Sequence, residues 1–202
     1  MDWTGNNTSV FATLGASSHS ETERERNDFY ATDPRAVDAL LEYDVHILPR
    51  KVWEPSCGTG ELSTRLSQHG FEVTSTDLID RGFGRGGVNF FEQMAMPEGC
   101  TAIITNPPYR FATQYVTHAL SLLPDKGTLA LFLKTTFAEG QQRYREIFSR
   151  NPPRYILQCV QRINCAKNAD FKSAPSSAVS YAWWIWVKNH RGSTTLDWIN
   201  HN

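Results

Sequence analysis

Trp53-Glu54-Pro55-Ser56-Cys57-Gly58-Thr59-Gly60 lies between two segments of opposite character. Before it stands a short apolar stretch, Lys51-Val52-Trp53; after it comes an amphipathic stretch, 61–68, ended by Gly70. A glycine-bearing loop between a strand and a helix lets the backbone turn sharply and approach a ligand that side chains would block. The same alternation continues outward. Strands are predicted at 71–76, 101–105, 128–133, 155–160 and 179–187, with helices at 111–123 and 140–150. Upstream, Asp33-Pro34 reads as a helix start, and Val37, Leu40, Leu41 and Val45 follow at helical spacing. Strands alternating with helices require crossovers, so the expected fold class is α/β, with a mostly parallel sheet covered on both faces. In such a sheet, ligands bind outside the carboxyl ends of the strands.

The loop chemistry narrows the ligand. A dinucleotide site calls for three glycines and a helix N-terminus facing pyrophosphate. Here there is no third glycine, and Glu54 would repel a phosphate while suiting a ligand that carries an ammonium group. The next strand runs into Asp77, about where ribose hydroxyls would need an acceptor.

A second motif also follows a strand directly. Asn106-Pro107-Pro108-Tyr109 comes after Thr101-Ala-Ile-Ile-Thr105. An amine conjugated to a ring or carbonyl is a poor nucleophile, because its lone pair is delocalised. Two acceptors on its hydrogens would draw it toward tetrahedral geometry and concentrate that lone pair. The Asn106 side-chain oxygen and the Pro107 carbonyl are the expected acceptors. Paired prolines fix φ and remove competing N–H donors, and Tyr109 offers a ring for stacking on a planar substrate. Asn151-Pro152-Pro153-Arg154 is the contrast: it follows a helix, lacks the aromatic and reads as a helix stop.

With these residues in place, the chain resembles the class I S-adenosylmethionine-dependent methyltransferases. That resemblance implies a single Rossmann-like domain, with a mostly parallel seven-stranded sheet, helices on both faces and an antiparallel last strand. It assigns S-adenosylmethionine as cofactor, held by Glu54, Pro55, Ser56, Cys57, Gly58 and Gly60 of the loop. Asp77 and Leu78 follow at the ribose, Asn89 and Phe90 at the adenine, and Asn106 near the methyl. Asn89 stands where the family carries an acid. Phe29-Tyr30-Ala31-Thr32-Asp33-Pro34 looks like the Tyr-x-Thr-Pro-type segment of DNA adenine-N6 methyltransferases, which covers the methionine end of the cofactor, so Tyr30, Thr32 and Pro34 join the expected set. The whole chain resembles short phage- and prophage-type adenine methyltransferases. Phe132-Leu133-Lys134, Arg162-Ile163-x-Cys165-Ala166-Lys167-Asn168 and Ser177-Ala178-Val179-x-Tyr181-Ala182-Trp183 carry the likeness. By that resemblance Tyr109, Lys134 and Phe171 would contact the substrate base.

Composition bounds the rest. The 202 residues fit one domain, expected at 28–191, with an arm at 1–27 placed to order over the cofactor site and a tail at 192–202. Only 45 residues separate Gly60 from Asn106, and no separate target-recognition domain is expected. No run is long enough to span a bilayer, no secretory signal is seen, and the cytoplasm is the expected compartment. Cys57, Cys100, Cys159 and Cys165 form no C-x-x-C pair or Cys/His cluster, so neither a metal nor a disulfide framework is expected. Residues 1–133 hold 10 Lys+Arg against 17 Asp+Glu, whereas 134–191 hold 10 against 3. A polyanion would therefore meet the second half, where Arg143, Arg145, Arg150, Arg154, Lys167 and Lys172 are the candidate contacts to a nucleic-acid backbone. The Trp183-Trp184-x-Trp186 run reads as core strand.

The expected activity is methyl transfer to the N6 amino group of adenine in DNA, with the base extruded from the duplex. RNA adenine and protein glutamine are the rival substrates, because their nitrogens need the same two acceptors. A non-catalytic cofactor-binding partner and a nicotinamide-dependent oxidoreductase are the rivals of other classes.

Overall fold

The computed structural model describes residues 31–43, 48–163, 165–166 and 179–200. The arm at 1–27, Tyr30, Lys167, Phe171 and Lys172 lie outside the described residues. In chain order the elements are β1 (Ala31–Thr32), α1 (Arg35–Glu42), β2 (Lys51–Glu54), α2 (Glu61–Gln68), β3 (Glu72–Ser75), β4 (Ala102–Thr105), α3 (Ala112–Leu122) and β5 (Thr128–Lys134). There follow α4 (Gln141–Arg143), β6 (Tyr155–Cys159), β7 (Cys165–Ala166), β8 (Tyr181–Val187) and β9 (Thr195–Ile199).

Seven strands form one sheet in the order β3-β2-β4-β5-β8-β6-β9, and β1 pairs antiparallel with β7 in a separate ribbon. β2, β3, β4 and β5 run parallel, while β8 is antiparallel to both β5 and β6. This is the Rossmann-like class I methyltransferase arrangement expected from the sequence. β9 carries the chain one strand further. It lies in the segment expected as a tail and pairs parallel with β6.

Both faces of the sheet are buried, and the strand sequences show why. Alternate side chains point to opposite faces. Val52, Ala102, Ile104, Phe132, Trp183 and Ile185 pack with α1 and α2 on one side. Trp53, Ile103, Leu131, Trp184 and Trp186 pack with α3 and Ile147 on the other. The tryptophan run is core, as expected. Trp183 donates from its indole to the Ala36 carbonyl at 2.7 Å, and Trp186 to the Asn151 carbonyl at 3.0 Å.

The start of α1 matches expectation: Pro34 already has helical dihedrals, φ −53° and ψ −25°, and the Asp33 carboxylate before it accepts the Arg35 backbone N–H at 3.0 Å. The arginine-rich helix expected at 140–150 is three residues of α-helix continued by a π-type turn over Tyr144–Phe148. Asn151-Pro152 does end it, with the Asn151 N–H on the Ile147 carbonyl at 2.7 Å.

Candidate active site

The carboxyl ends of β2, β3 and β4 open onto a cleft of about 320 Å³. Its walls come from the loop after β2 (Glu54 to Cys57), the loop after β3 (Asp77 to Arg81), the segment Val88 to Phe91, the tetrapeptide 106–109, and Ala31-Thr32 of the ribbon. Tyr115 closes it from α3. Two segments quoted from the sequence, the glycine loop and the tetrapeptide, therefore meet at one site.

At the β2 end, Glu54 is buried and its carboxylate accepts from the Ser63 hydroxyl on α2. Burial pushes its pKa up to about 8, and the nearby acids Glu61 and Asp77 push the same way. A cation arriving in the cleft would reverse that. Burial likewise holds the Cys57 thiol up at about 12, with Glu54 and Asp77 adding to it, so it is a protonated wall residue rather than a nucleophile.

The two glycines shape the loop from behind the cleft wall. Gly58 and Gly60 are absent from the cleft wall. Gly60 holds φ +93°, and a Cβ there would sit 2.4 Å from the Phe83 ring; it is small so that Phe83 can cover it. The Gly58 N–H donates to Asp77 Oδ2 at 2.8 Å. Asp77 Oδ1 accepts from the Ile79 N–H at 2.9 Å and from Arg81 at 3.3 Å. The carboxylate assigned to ribose thus organises the loops around the cleft, although it also lines it.

Asn89 and Phe90 stand as a local cap and a wall. Asn89 Oδ1 accepts from the Phe91 N–H at 3.1 Å, and its amide donates to Glu92 at 2.9 Å, so both ends are engaged within the turn. Phe90 is buried in the cleft wall and stacks on Tyr115 with ring centroids 4.2 Å apart. Leu78 lines the cleft and is 55% exposed at its mouth. Pro34 does not line it.

The tetrapeptide starts where β4 ends. The Asn106 amide nitrogen donates to Thr32 Oγ1 at 2.8 Å and reaches Cys165 Sγ at 3.7 Å. Its oxygen, Oδ1, is buried and has no hydrogen-bond partner among the described residues. Burying an acceptor without a donor costs about 1–3 kcal/mol, so this atom is set up for a donor that the described residues do not provide. Pro107 and Pro108 line the cleft, and the Pro108 carbonyl accepts the Phe111 N–H at 2.9 Å. The Tyr109 hydroxyl donates to Cys165 Sγ at 3.3 Å, and burial holds its pKa well above the usual phenol value. Lys134 is not in the wall; its ammonium lies 5.0 Å from the Tyr109 ring centroid.

The basic residues do not act as one surface. Arg143 rests on the Phe137 ring at 5.2 Å, in the segment that follows the carboxyl end of β5. Arg145 is exposed on the π-type turn and Arg150 is exposed beyond it. Arg154 stands apart from them. It precedes β6 and shares a depression with Thr101 and Thr128, at the amino ends of β4 and β5. That is the end of the sheet opposite the cleft, about 20 Å away along a seven-residue strand.

Residues that sequence reading passed over include Arg81, Phe91, Arg110, Phe111 and Tyr115, all in the cleft wall. Tyr115 had a usable signal: it lies one helical turn after Phe111, on the apolar face of α3. Among the described residues no group of three or more His, Cys, Asp or Glu is arranged to hold a metal, and no helix is long and apolar enough to cross a membrane.

No protein-family model matches the chain. A ubiquinone biosynthesis O-methyltransferase of Azotobacter vinelandii is 24% identical over 147 residues, 69% of this chain. The matched region is 62% of that relative's length. Among solved structures, the methyltransferase subunit of a type I restriction-modification system from Streptococcus thermophilus superposes with a TM-score of 0.59 at 12% identity. The alignment covers 84% of this chain and 47% of that one. A modification subunit assigned to a type I restriction enzyme of Vibrio vulnificus gives 0.57 at 14% identity, over 93% and 49% of the two chains. A Listeria monocytogenes protein assigned to the class I S-adenosylmethionine-dependent methyltransferases gives 0.55 at 11%, over 96% and 70%. The fold shared with all three is the class I methyltransferase fold.

Proposed function

We propose that this chain moves the methyl group of S-adenosylmethionine to the N6 amino group of adenine in DNA, with the base turned out of the duplex. The observation that carries the reading is the buried Asn106 Oδ1, without a partner among the described residues, beside Pro107 and Tyr109 at the carboxyl end of β4.

The cofactor fits the cleft by the chemistry of its wall. Buried Glu54 answers a ligand ammonium, and the aromatic wall of Phe90 and Tyr115 answers a planar ring. Bound there, S-adenosylmethionine supplies an electrophilic methyl on sulfur. Asn106 Oδ1 accepts one hydrogen of the substrate amine and the Pro107 carbonyl the other, which concentrates the nitrogen lone pair for attack. Tyr109 supports the base through its ring, and direct transfer needs no covalent enzyme intermediate. The apolar wall excludes water that would compete for the same acceptors.

Support for DNA comes from the basic second half of the chain and from the likeness to restriction-modification subunits. An extruded base costs a few kcal/mol of unstacking, which Arg143 and Arg145 would offset through phosphate contacts. RNA adenine and protein glutamine present nitrogens of the same kind, and the O-methyltransferase relative raises a hydroxyl as a further acceptor. An oxygen nucleophile must give its proton to a base as it attacks. A neutral amine instead attacks with its lone pair, the methyl–sulfur bond breaks, and the extra N–H proton leaves to solvent afterwards. An amide oxygen that only accepts therefore suits an amine.

Incubation with tritiated S-adenosylmethionine and DNA, RNA or protein, followed by nucleoside or amino-acid digestion, separates these outcomes. Label in N6-methyldeoxyadenosine is expected. Label in RNA, glutamine or a hydroxyl product would overturn the substrate. Asn106→Ala should lower transfer at least about a hundredfold while cofactor affinity stays within a few-fold; retained transfer would overturn the mechanism.

A further inference from the structure

We infer that Thr32 and Cys165 are positioning residues that determine which end of the Asn106 side-chain amide faces the substrate. The consequence for catalysis rests on the methyl-transfer reading above; the geometry does not.

Thr32 and Cys165 stand directly opposite each other in the β1–β7 ribbon. Asn106 lies 74 positions from the first and 59 from the second in sequence, yet its amide nitrogen reaches both, Thr32 Oγ1 at 2.8 Å and Cys165 Sγ at 3.7 Å. An amide nitrogen carries two hydrogens, so two acceptors account for both. What remains is Oδ1, buried and unpartnered among the described residues.

The two ends of an asparagine amide are nearly identical in shape. Packing alone therefore chooses poorly between them, and hydrogen bonding must choose. With the amide turned half a revolution, the nitrogen would face an amine that also donates. The Thr32 hydroxyl and Cys165 thiol would then have to donate to Oδ1 instead of accepting, which a thiol does weakly. The mismatch disfavours that orientation. The sulfur serves twice, because the Tyr109 hydroxyl donates to it at 3.3 Å. It thereby ties the first and last residues of the tetrapeptide to one strand. Sulfur is a weak acceptor, so Thr32 carries the larger share of the orientation.

Steady-state methyl transfer and side-chain amide spectroscopy together test this. Thr32→Val, which keeps shape and removes the hydroxyl, should lower kcat about tenfold with the dissociation constant for S-adenosylmethionine within about twofold. Thr32→Ser should restore most of the rate, and Cys165→Ala should lower kcat by less than Thr32→Val. An unchanged kcat in Thr32→Val, or equal losses in Thr32→Val and Thr32→Ser, would overturn the inference. The second measurement needs no substrate. The Asn106 ¹⁵Nδ2 proton signals, assigned by their absence in Asn106→Asp, should exchange slowly with solvent in the unaltered chain and fast in Thr32→Val. Slow exchange in a chain that transfers no methyl to adenine supports the orientation and overturns only the substrate reading. Fast exchange in the unaltered chain overturns the orientation whatever the substrate.

Discussion

Asp77 Oδ2 accepts a 2.8 Å hydrogen bond from the backbone N–H of Gly58, tying the end of β3 to the glycine loop after β2. The other oxygen holds the Ile79 N–H and Arg81. One carboxylate thus fixes two loops that form adjoining walls of the cleft. Asp77→Ala frees three donors in a partly buried site, and a loss of about 2–3 kcal/mol in folding stability is expected. Cofactor affinity should fall at least about tenfold, and Asp77→Asn, which keeps one acceptor, should fall between. Denaturant titration and calorimetric binding of S-adenosylmethionine measure the two effects.

Gly60 combines a positive φ with the Phe83 ring lying where a Cβ would go. Gly60→Ala should therefore destabilise the chain by about 1–3 kcal/mol. Adding Phe83→Ala removes the steric part and leaves a backbone cost of about 1 kcal/mol. Thermal melts of the two single variants and the double variant resolve the split; strictly additive losses would show that ring and Cβ do not meet.

Glu54 gives the folded chain a distinct pH response. Its pKa rises from 4.5 unfolded to about 8 folded, so the folded state binds more protons between those values. Stability from this group is complete below about pH 4.5 and falls as pH rises toward 8, by a few kcal/mol at most. A bound cation favours the carboxylate, so cofactor binding near pH 7 should release a proton. Melting temperatures across pH 5–8.5 should decline less in Glu54→Gln than in the unaltered chain. Calorimetry in buffers of different ionisation enthalpy detects the proton, which Glu54→Gln should not release.

The placement of the arginines separates backbone contact from bystander charge. Arg145 is exposed on the turn that follows the carboxyl end of β5, whereas Arg154 lies at the other end of the sheet. Under the DNA reading, Arg145→Gln should weaken binding to all sequences alike and reduce the slope of log K against log salt by about 1. Arg154→Gln should leave that slope unchanged. Fluorescence anisotropy over a salt series measures both, and the reverse result would move DNA to the opposite face.

Much of this molecule was legible along the chain. Strands β2 to β6 and β8, the glycine loop and the tetrapeptide are local patterns: apolar runs, punctuating glycines and prolines whose conformations depend on near neighbours. Arg154 had a local signal as well, since a residue just before a strand of a parallel sheet lies at the end away from the ligand. β9 was harder to read, because two of its apolar side chains, Leu196 and Trp198, face outward at the sheet edge and blur the alternation.

Local patterning could name Asn106 but not orient it. Its amide nitrogen reaches Thr32 and Cys165, set opposite each other by a two-residue ribbon, and Asp77 separately serves its own loops before any ligand. Sequence periodicity reports which face of an element is buried, because burial follows from each residue's own polarity. Which donor meets which acceptor depends on how distant segments pack, and so it appears only in the folded chain.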